Sequence, residues 1–412
     1  MMLWTTPETG EKIVDIVASI SNYVERQHDH IPMTANFSGK QPTLLTLDEI
    51  ETAIDQCAAA VEALPGHPGD YLRAMLHSHK YLVRWLRGDE TLSYHEAVKH
   101  ILEVDLKPIP PENFKNTEAR MNKQLDKWGY NGTFAEKLNK WQEDKRLPRD
   151  QVLDVVKKYI ARTRKKTVET VHALPDDNIE SVTGITGVFF SGRSEYHGNY
   201  TGRLLFNLDR PWNDPGFACV LTHEAYPGHH VYYTLWDYKF KEGTLPLEAS
   251  TYLMNSAANC LFEGAPECGV RYLGWDDVNQ DTPELTAFEK DEIIFAKDLK
   301  DLVRMYQTQG SYLYNVEGKS EQETMAFLLS NGWYDEIEAR NTFLFFSNRY
   351  VGVYYPAYYY GRWIMQAAYD AWPKDKLEDF YYLTYDVPQT NSTLIKAVGQ
   401  VIGKPFDPFV NI

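Results

Sequence analysis

The chain has 412 residues, a formal net charge of −16, and 43% apolar with 14% aromatic residues. The acidic balance disfavours nucleic acid or an anionic membrane as a partner, because a phosphate surface attracts the opposite sign. The apolar content excludes disorder over most of the length.

Four scattered cysteines, Cys57, Cys219, Cys260 and Cys268, are too few and too far apart for a disulfide framework. The opening "MMLWTTPETGEKIVDIV" has no basic segment leading into an apolar one. Nor does any window approach the roughly 18 consecutive apolar residues of a membrane span. A reduced, cytoplasmic protein with no membrane segment is the expectation.

Residues 1–180 read as helix after helix. "TLDEIETAIDQCAAAVEAL" opens with a capping box, Thr46 and Glu49, and repeats apolar residues at helical spacing until Pro65 and Gly66. "GDYLRAMLHSHKYLVRWLRG" and "DQVLDVVKKYIARTRKKTVETVHAL" behave alike, with the proline-rich "LKPIPPENFKN" as a connector. The basic run "KKYIARTRKK" at 157–166 lies in an amphipathic pattern and reads as a solvated helix face.

The pattern changes near residue 182. "VTGITGVFFSGRSEYHGNYTGRLLFNLD" is rich in glycine, aromatic and β-branched residues and predicts two or three short strands forming one small sheet. Asp214 followed by Pro215 then predicts a helix start, with Asp214 as the N-cap. "PGFACVLTHEAY" should therefore be a helix carrying His223 and Glu224 in about its third turn. Helices resume downstream, including "SEQETMAFLLSNG" capped by Ser320 and Glu323. The expected architecture is mainly α, with a helical region over 1–180 and a metal-binding region over 181–412 packed together as one unit.

The stretch "LTHEAYPGHHVYY" at 221–233 carries the chemistry. A zinc helix of the H-E-x-x-H kind places two histidines one turn apart and aims the Glu at the water on the metal. Here Pro227 stands where the second histidine would be. A proline there loses its hydrogen bond to the carbonyl of His223 and clashes with it, so the helix must break. In an unbroken helix His230 would lie near the same face but about 10.5 Å along the axis. A break worth about one turn swings His229 into the missing position; His229 is favoured as the ligand, with His230 as the alternative. The other histidine-rich stretches, "HDH" (28–30), "HSH" (77–79) and "YHEAVKH" (94–100), lack a spacing that aligns ligands on one helix face and read as surface histidines.

"HEAYPGHH" resembles the H-E-x-x-P-G-H-H signature of the bacterial "domain of unknown function 885" family, counted among the zincin-like metallopeptidases. "GRLLFN" (202–207), "LFEG" (261–264), "EGKSEQETMAFLLSNGW" and "RY…YPAYYYG" are similar to further segments of that family. The likeness covers roughly residues 182–365. Val231-Tyr232 stand where the family has Leu-Gln, and Ala265-Pro266 follow the Glu-Gly where it has Trp.

The resemblance implies a zincin-like fold and a Zn²⁺ held by His223, His229 and Glu263. Glu224 would be the general base for the bound water, with Tyr358 or Arg349 stabilising the oxyanion or clamping a substrate carboxylate. Glu267, one turn after Glu263, is the competing ligand or an orienting group. The strand near 203–207 would pair with an extended peptide. The expected function is a zinc-dependent hydrolase acting on a peptide or small amide. The alternatives are a metal-dependent enzyme on a small non-peptide substrate and a non-catalytic helical binding protein with a degenerate site.

Overall fold

The computed structural model describes residues 2–27, 34–188 and 190–409, so the "HDH" at 28–30 lies outside the described residues. Side-chain caps set the ends of many helices. Thr46 opens the helix Leu47–Val61 and Ser320 opens Glu321–Leu329, each by the reciprocal bonds with Glu49 and Glu323 that the sequence implied.

The N-terminal region comprises α1 (Pro7–Gln27), α2 (Leu47–Val61), α3 (Gly66–Leu86), α4 (Tyr94–Leu102), α5 (Pro111–Lys127), α6 (Phe134–Asp144) and α7 (Val152–Thr170). Each turns an apolar stripe inward. The buried set runs without interruption from Ile16, Ile54 and Trp141 to Phe217, Leu261, Ile364 and Leu394. The two sequence regions therefore share one core, and fully burying each such side chain contributes about 1.5–3 kcal/mol.

The basic run lies on α7; Lys157, Lys158 and Lys165 are exposed as expected, while three of its cations reach carboxylates outside the helix. Arg162 pairs with Glu289, Arg164 with Asp177 and Lys166 with Glu284. The "HSH" expectation fails for His79, which is 1% exposed on the inner face of α3.

The glycine-rich segment forms β2 (Asn178–Ile185), β3 (Gly192–Gly198) and β4 (Thr201–Asn207), in the order β2-β4-β3. β4 is central, parallel to β2 and antiparallel to β3. Residues 203–207 thus have partners on both sides and leave no edge for a peptide, contrary to the expectation; β3 carries an outer edge instead. A further antiparallel pair joins β1 (Thr34–Asn36) to β5 (Thr251–Leu253), too short to leave a periodic signal in the sequence.

The remaining helices are α8 (Asp214–Glu224), α9 (His229–Lys241), α10 (Asn259–Glu267), α11 (Gly269–Tyr272), α12 (Ala287–Asn315), α13 (Glu321–Leu329), α14 (Glu336–Ser347), α15 (Arg349–Tyr354), α16 (Pro356–Ala371), α17 (Leu377–Tyr385) and α18 (Asn391–Ile402). Among the described residues no helix is long and apolar enough to cross a membrane. The four cysteines are free and buried. The architecture is mainly α, with a small sheet against the helix that carries His223.

Candidate metal centre

α8 begins one residue earlier than the sequence suggested. Asn213 is the N-cap, accepting a 2.8 Å hydrogen bond from the Gly216 N–H. Asp214 is the first helical residue, and its carboxylate accepts from the Tyr159 hydroxyl at 2.9 Å. The helix stops at Glu224, the chain turns through a cis Tyr226–Pro227 bond, and α9 starts at His229. Gly228 lies so close under the end of α8 that a Cβ there would overlap the carbonyl of His223. Glycine is the residue that this approach admits.

Across this break His223 and His229 face one another, their Nε2 atoms 3.2 Å apart. α10 brings Glu263 to the same point, with its Oε2 3.2 Å from His223 Nε2 and its Oε1 3.5 Å from His229 Nε2. One donor atom from each of the three residues falls within a 4.8 Å span. All three side chains are largely shielded from water, Glu263 most of all at 3% exposure.

Burial, with the charge of Lys300, pushes the imidazolium form of His223 well below the usual range. Burial brings His229 down to about 4. Burial drives Glu263 well above the ordinary carboxylate range, opposed by a hydrogen bond from the Tyr354 hydroxyl and reinforced by the charges of Glu224 and Glu267. Neutral imidazoles are the form in which histidine binds metal. Two imidazoles and a carboxylate are a donor set suited to Zn²⁺. Glu263 Oε2, which faces His223 Nε2, is shut off from solvent without a well-formed hydrogen bond. A divalent cation among the three residues would offset that cost, so they fit one.

Glu224 follows His223 and lines the same cavity. Burial lifts its carboxyl to about 7, against the charge of Lys300 and a hydrogen bond from the backbone N–H of Ser194 on β3. That value suits a group that takes and returns a proton near neutrality. Glu267 is held differently. Burial would raise its pKa, but Lys300 and Arg304, each 2.9 Å away, keep it far below the usual carboxylate range. It sits 3.4 Å from His223 Nδ1, the ring nitrogen that does not face Glu263.

His230 points away from this group. Its Nε2 is 3.3 Å from Asp177 Oδ2, which also accepts from Tyr226, while Arg164 binds the other carboxylate oxygen. Burial would raise the Asp177 carboxyl, but these partners, His230 foremost, bring it to about 2.

Tyr358 is at the cavity, its ring centre 6.1 Å from that of His223 and 4.2 Å from the Arg304 guanidinium. Arg349, expected beside it, is elsewhere. It is an exposed residue whose guanidinium donates to the Trp85 carbonyl at 3.1 and 2.7 Å and lies 4.2 Å over the Trp85 ring. Its own carbonyl accepts from the Trp85 indole N–H at 2.7 Å. Tyr354, Lys300 and Arg304 were not anticipated. Lys300 and Arg304 stand four apart on one face of α12, a spacing legible in "KDLKDLVRMY"; nothing local marks Tyr354 among its neighbouring tyrosines.

No protein-family model matches the chain, and no curated protein sequence matches it. Solved structures share its fold. One is described as "the putative lipoprotein from Colwellia psychrerythraea", 17% identical with a TM-score of 0.59, matched over 89% of this chain and 66% of that one. Another, "a putative lipoprotein of unknown function from Shewanella oneidensis", is 16% identical with a TM-score of 0.53, over 94% of this chain and 77% of that one. The chain thus spans just under two thirds of the first protein's length. At these identities the likeness is one of fold alone.

Proposed function

We propose that the chain is a zinc-dependent hydrolase of the metallopeptidase type, cleaving a peptide or related amide bond. The observation that carries this reading is the convergence of His223, His229 and Glu263 across the break at Pro227, with Glu224 beside His223 on the cavity wall. The motif likeness of "HEAYPGHH" to a zincin-like family supports it from the sequence side.

His223, His229 and Glu263 would hold the zinc, which when bound supplies Lewis acidity toward a water and an amide carbonyl. Glu224 takes the proton from the attacking water and passes it to the leaving amine. The backbone N–H of Ser194 faces Glu224 and favours the charged form of that carboxylate. The Tyr358 ring lies beside His223, and its phenol would donate a hydrogen bond to the oxygen that gains charge in the transition state. β3, the edge strand that approaches Glu224 at Gly192, would pair with an extended substrate.

The test combines a zinc titration with hydrolysis of a mixed library of short peptides, for the wild type and Glu224→Gln. The expected result is one zinc per chain in both proteins, with turnover in the variant lower by about 10²–10⁴-fold. Turnover that survives both the substitution and a chelator would overturn the reading.

A further inference from the structure

A cavity of about 360 Å³ opens beside His223 and Glu224 and continues between α8, α12, α14 and the loop preceding α14. That is near the lower end of the roughly 300–1,000 Å³ of small-ligand sites, enough for one large side chain with its flanking backbone. Away from the candidate ligands its wall is largely aromatic and aliphatic, with Trp212, Leu299, Val303, Trp333, Phe345 and Tyr355 contributing.

The charged groups on that wall are already engaged within the protein. Arg210 is paired with Glu338. Lys300 and Arg304 share Glu267, and the Arg304 guanidinium also covers the Tyr358 ring. Asp335 accepts the backbone N–H groups of Ile337 and Glu338 as the cap of α14. A charged substrate side chain entering here would give up its hydration without a free partner of opposite sign, which disfavours it. A neutral ring loses nothing on desolvation and gains edge and face contacts with the lining rings. Gln142 and Asn341 also line the cavity and form no side-chain hydrogen bond among the described residues. They offer neutral donors and acceptors to a phenol or an amide.

We propose that this cavity is a specificity pocket for a neutral aromatic side chain, phenylalanine- or tyrosine-like, next to the bond that is cut. Its place in the reaction rests on the hydrolase reading above; its preference for such a ring does not.

The experiment measures binding of the full-length chain to N-acetyl amino-acid amides of Phe, Tyr, Gly, Lys and Glu by ligand-observed NMR, with zinc titration and peptide hydrolysis scored separately. The Phe and Tyr amides should bind at least about ten-fold tighter than the other three, the discrimination that a pocket of this kind achieves. Val303→Trp or Leu299→Trp, each filling the cavity, should bring that ratio close to one while zinc affinity stays as in the wild type. Equal affinities across the panel, or a preference for the Lys or Glu amide, would overturn the proposal. So would an unchanged ratio in a variant whose circular dichroism is native. Should both variants unfold, the wild-type ratios decide alone. Loss of zinc binding with the ring preference intact would defeat the hydrolase reading and leave the pocket standing.

Discussion

Gly264 of α10 and Gly361 of α16 meet backbone to backbone. A Cβ on Gly264 would collide with the carbonyl of Gly361, and one on Gly361 would collide with the carbonyl of Cys260. The two helices cross at a separation that only hydrogen side chains allow. Glu263 immediately precedes one of these glycines, and α16 carries Tyr358 three residues before the other. The crossing therefore places the third candidate ligand and the cavity tyrosine in register. Gly264→Ala and Gly361→Ala must push the helices apart, at a cost of about 1–3 kcal/mol in stability for overpacking of this kind. Zinc affinity should fall about ten-fold or more in either variant, read by competition with a chromophoric chelator. An alanine at either position with wild-type zinc affinity would show that the close crossing does not set the geometry of Glu263.

The two adjacent histidines make a sharper test, because they face opposite ways. His229 meets His223 at 3.2 Å, whereas His230 is turned to Asp177. His229→Ala should weaken zinc binding by more than the roughly 10–100-fold that changes around a ligand cost. His230→Ala should leave zinc stoichiometry unchanged. It removes one partner of a buried carboxylate, which destabilises the fold by about 1–3 kcal/mol. Urea unfolding and zinc titration on the same pair of proteins separate the effects, and zinc loss in His230→Ala would reverse the assignment.

Arg349 illustrates a residue whose motif position misleads. Its guanidinium is committed to the Trp85 carbonyl and ring, tying α15 to the end of α3. Arg349→Ala should therefore cost about 2 kcal/mol, from a charged hydrogen bond and a cation–π contact. KM and kcat on any peptide the wild type cleaves should remain unchanged. Tyr358→Phe is the contrast, since it keeps the packing and removes the hydroxyl. It should lower kcat with little effect on the melting temperature. A kcat collapse in Arg349→Ala at preserved stability would return that arginine to the cleft.

These contrasts follow from what a sequence encodes locally. The capping boxes at Thr46 and Ser320 were legible because a cap is decided within four residues. So was the break between His223 and His229, because a proline in a helix interior has one steric consequence. The convergence of Glu263 depended on matching a remote motif, and its cause, the α10–α16 crossing, joins segments about a hundred residues apart. β1 and β5 were missed because three-residue strands carry no period. β4 was taken for an edge because strand order is set by chain crossings that β propensity does not record. His79 was read as a surface residue because the H-S-H spacing aligns no ligands on one helix face, whereas its burial depends on what α3 packs against.

That last misreading has a measurable consequence. Both ring nitrogens of His79 are cut off from water and make no hydrogen bond among the described residues. Burial depresses its pKa from 6.5 to about 4. Between those two values the unfolded chain holds a proton on this ring and the folded chain does not, so acid favours unfolding. The stability tied to neutral His79 is thus fully present above pH 6.5. It falls as the pH drops from 6.5 toward about 4 and levels off below that. The full span is on the order of 3 kcal/mol for one buried imidazole. His79→Leu substitutes an apolar side chain of similar bulk and removes the titration. Carboxylates elsewhere titrate alike in both proteins, so the difference between them isolates this residue. Urea melts at pH about 7 and about 5 should show the variant gaining on the wild type at the lower pH by about 1–2 kcal/mol. Parallel stability–pH curves would mean that the ring finds a proton acceptor in the folded protein.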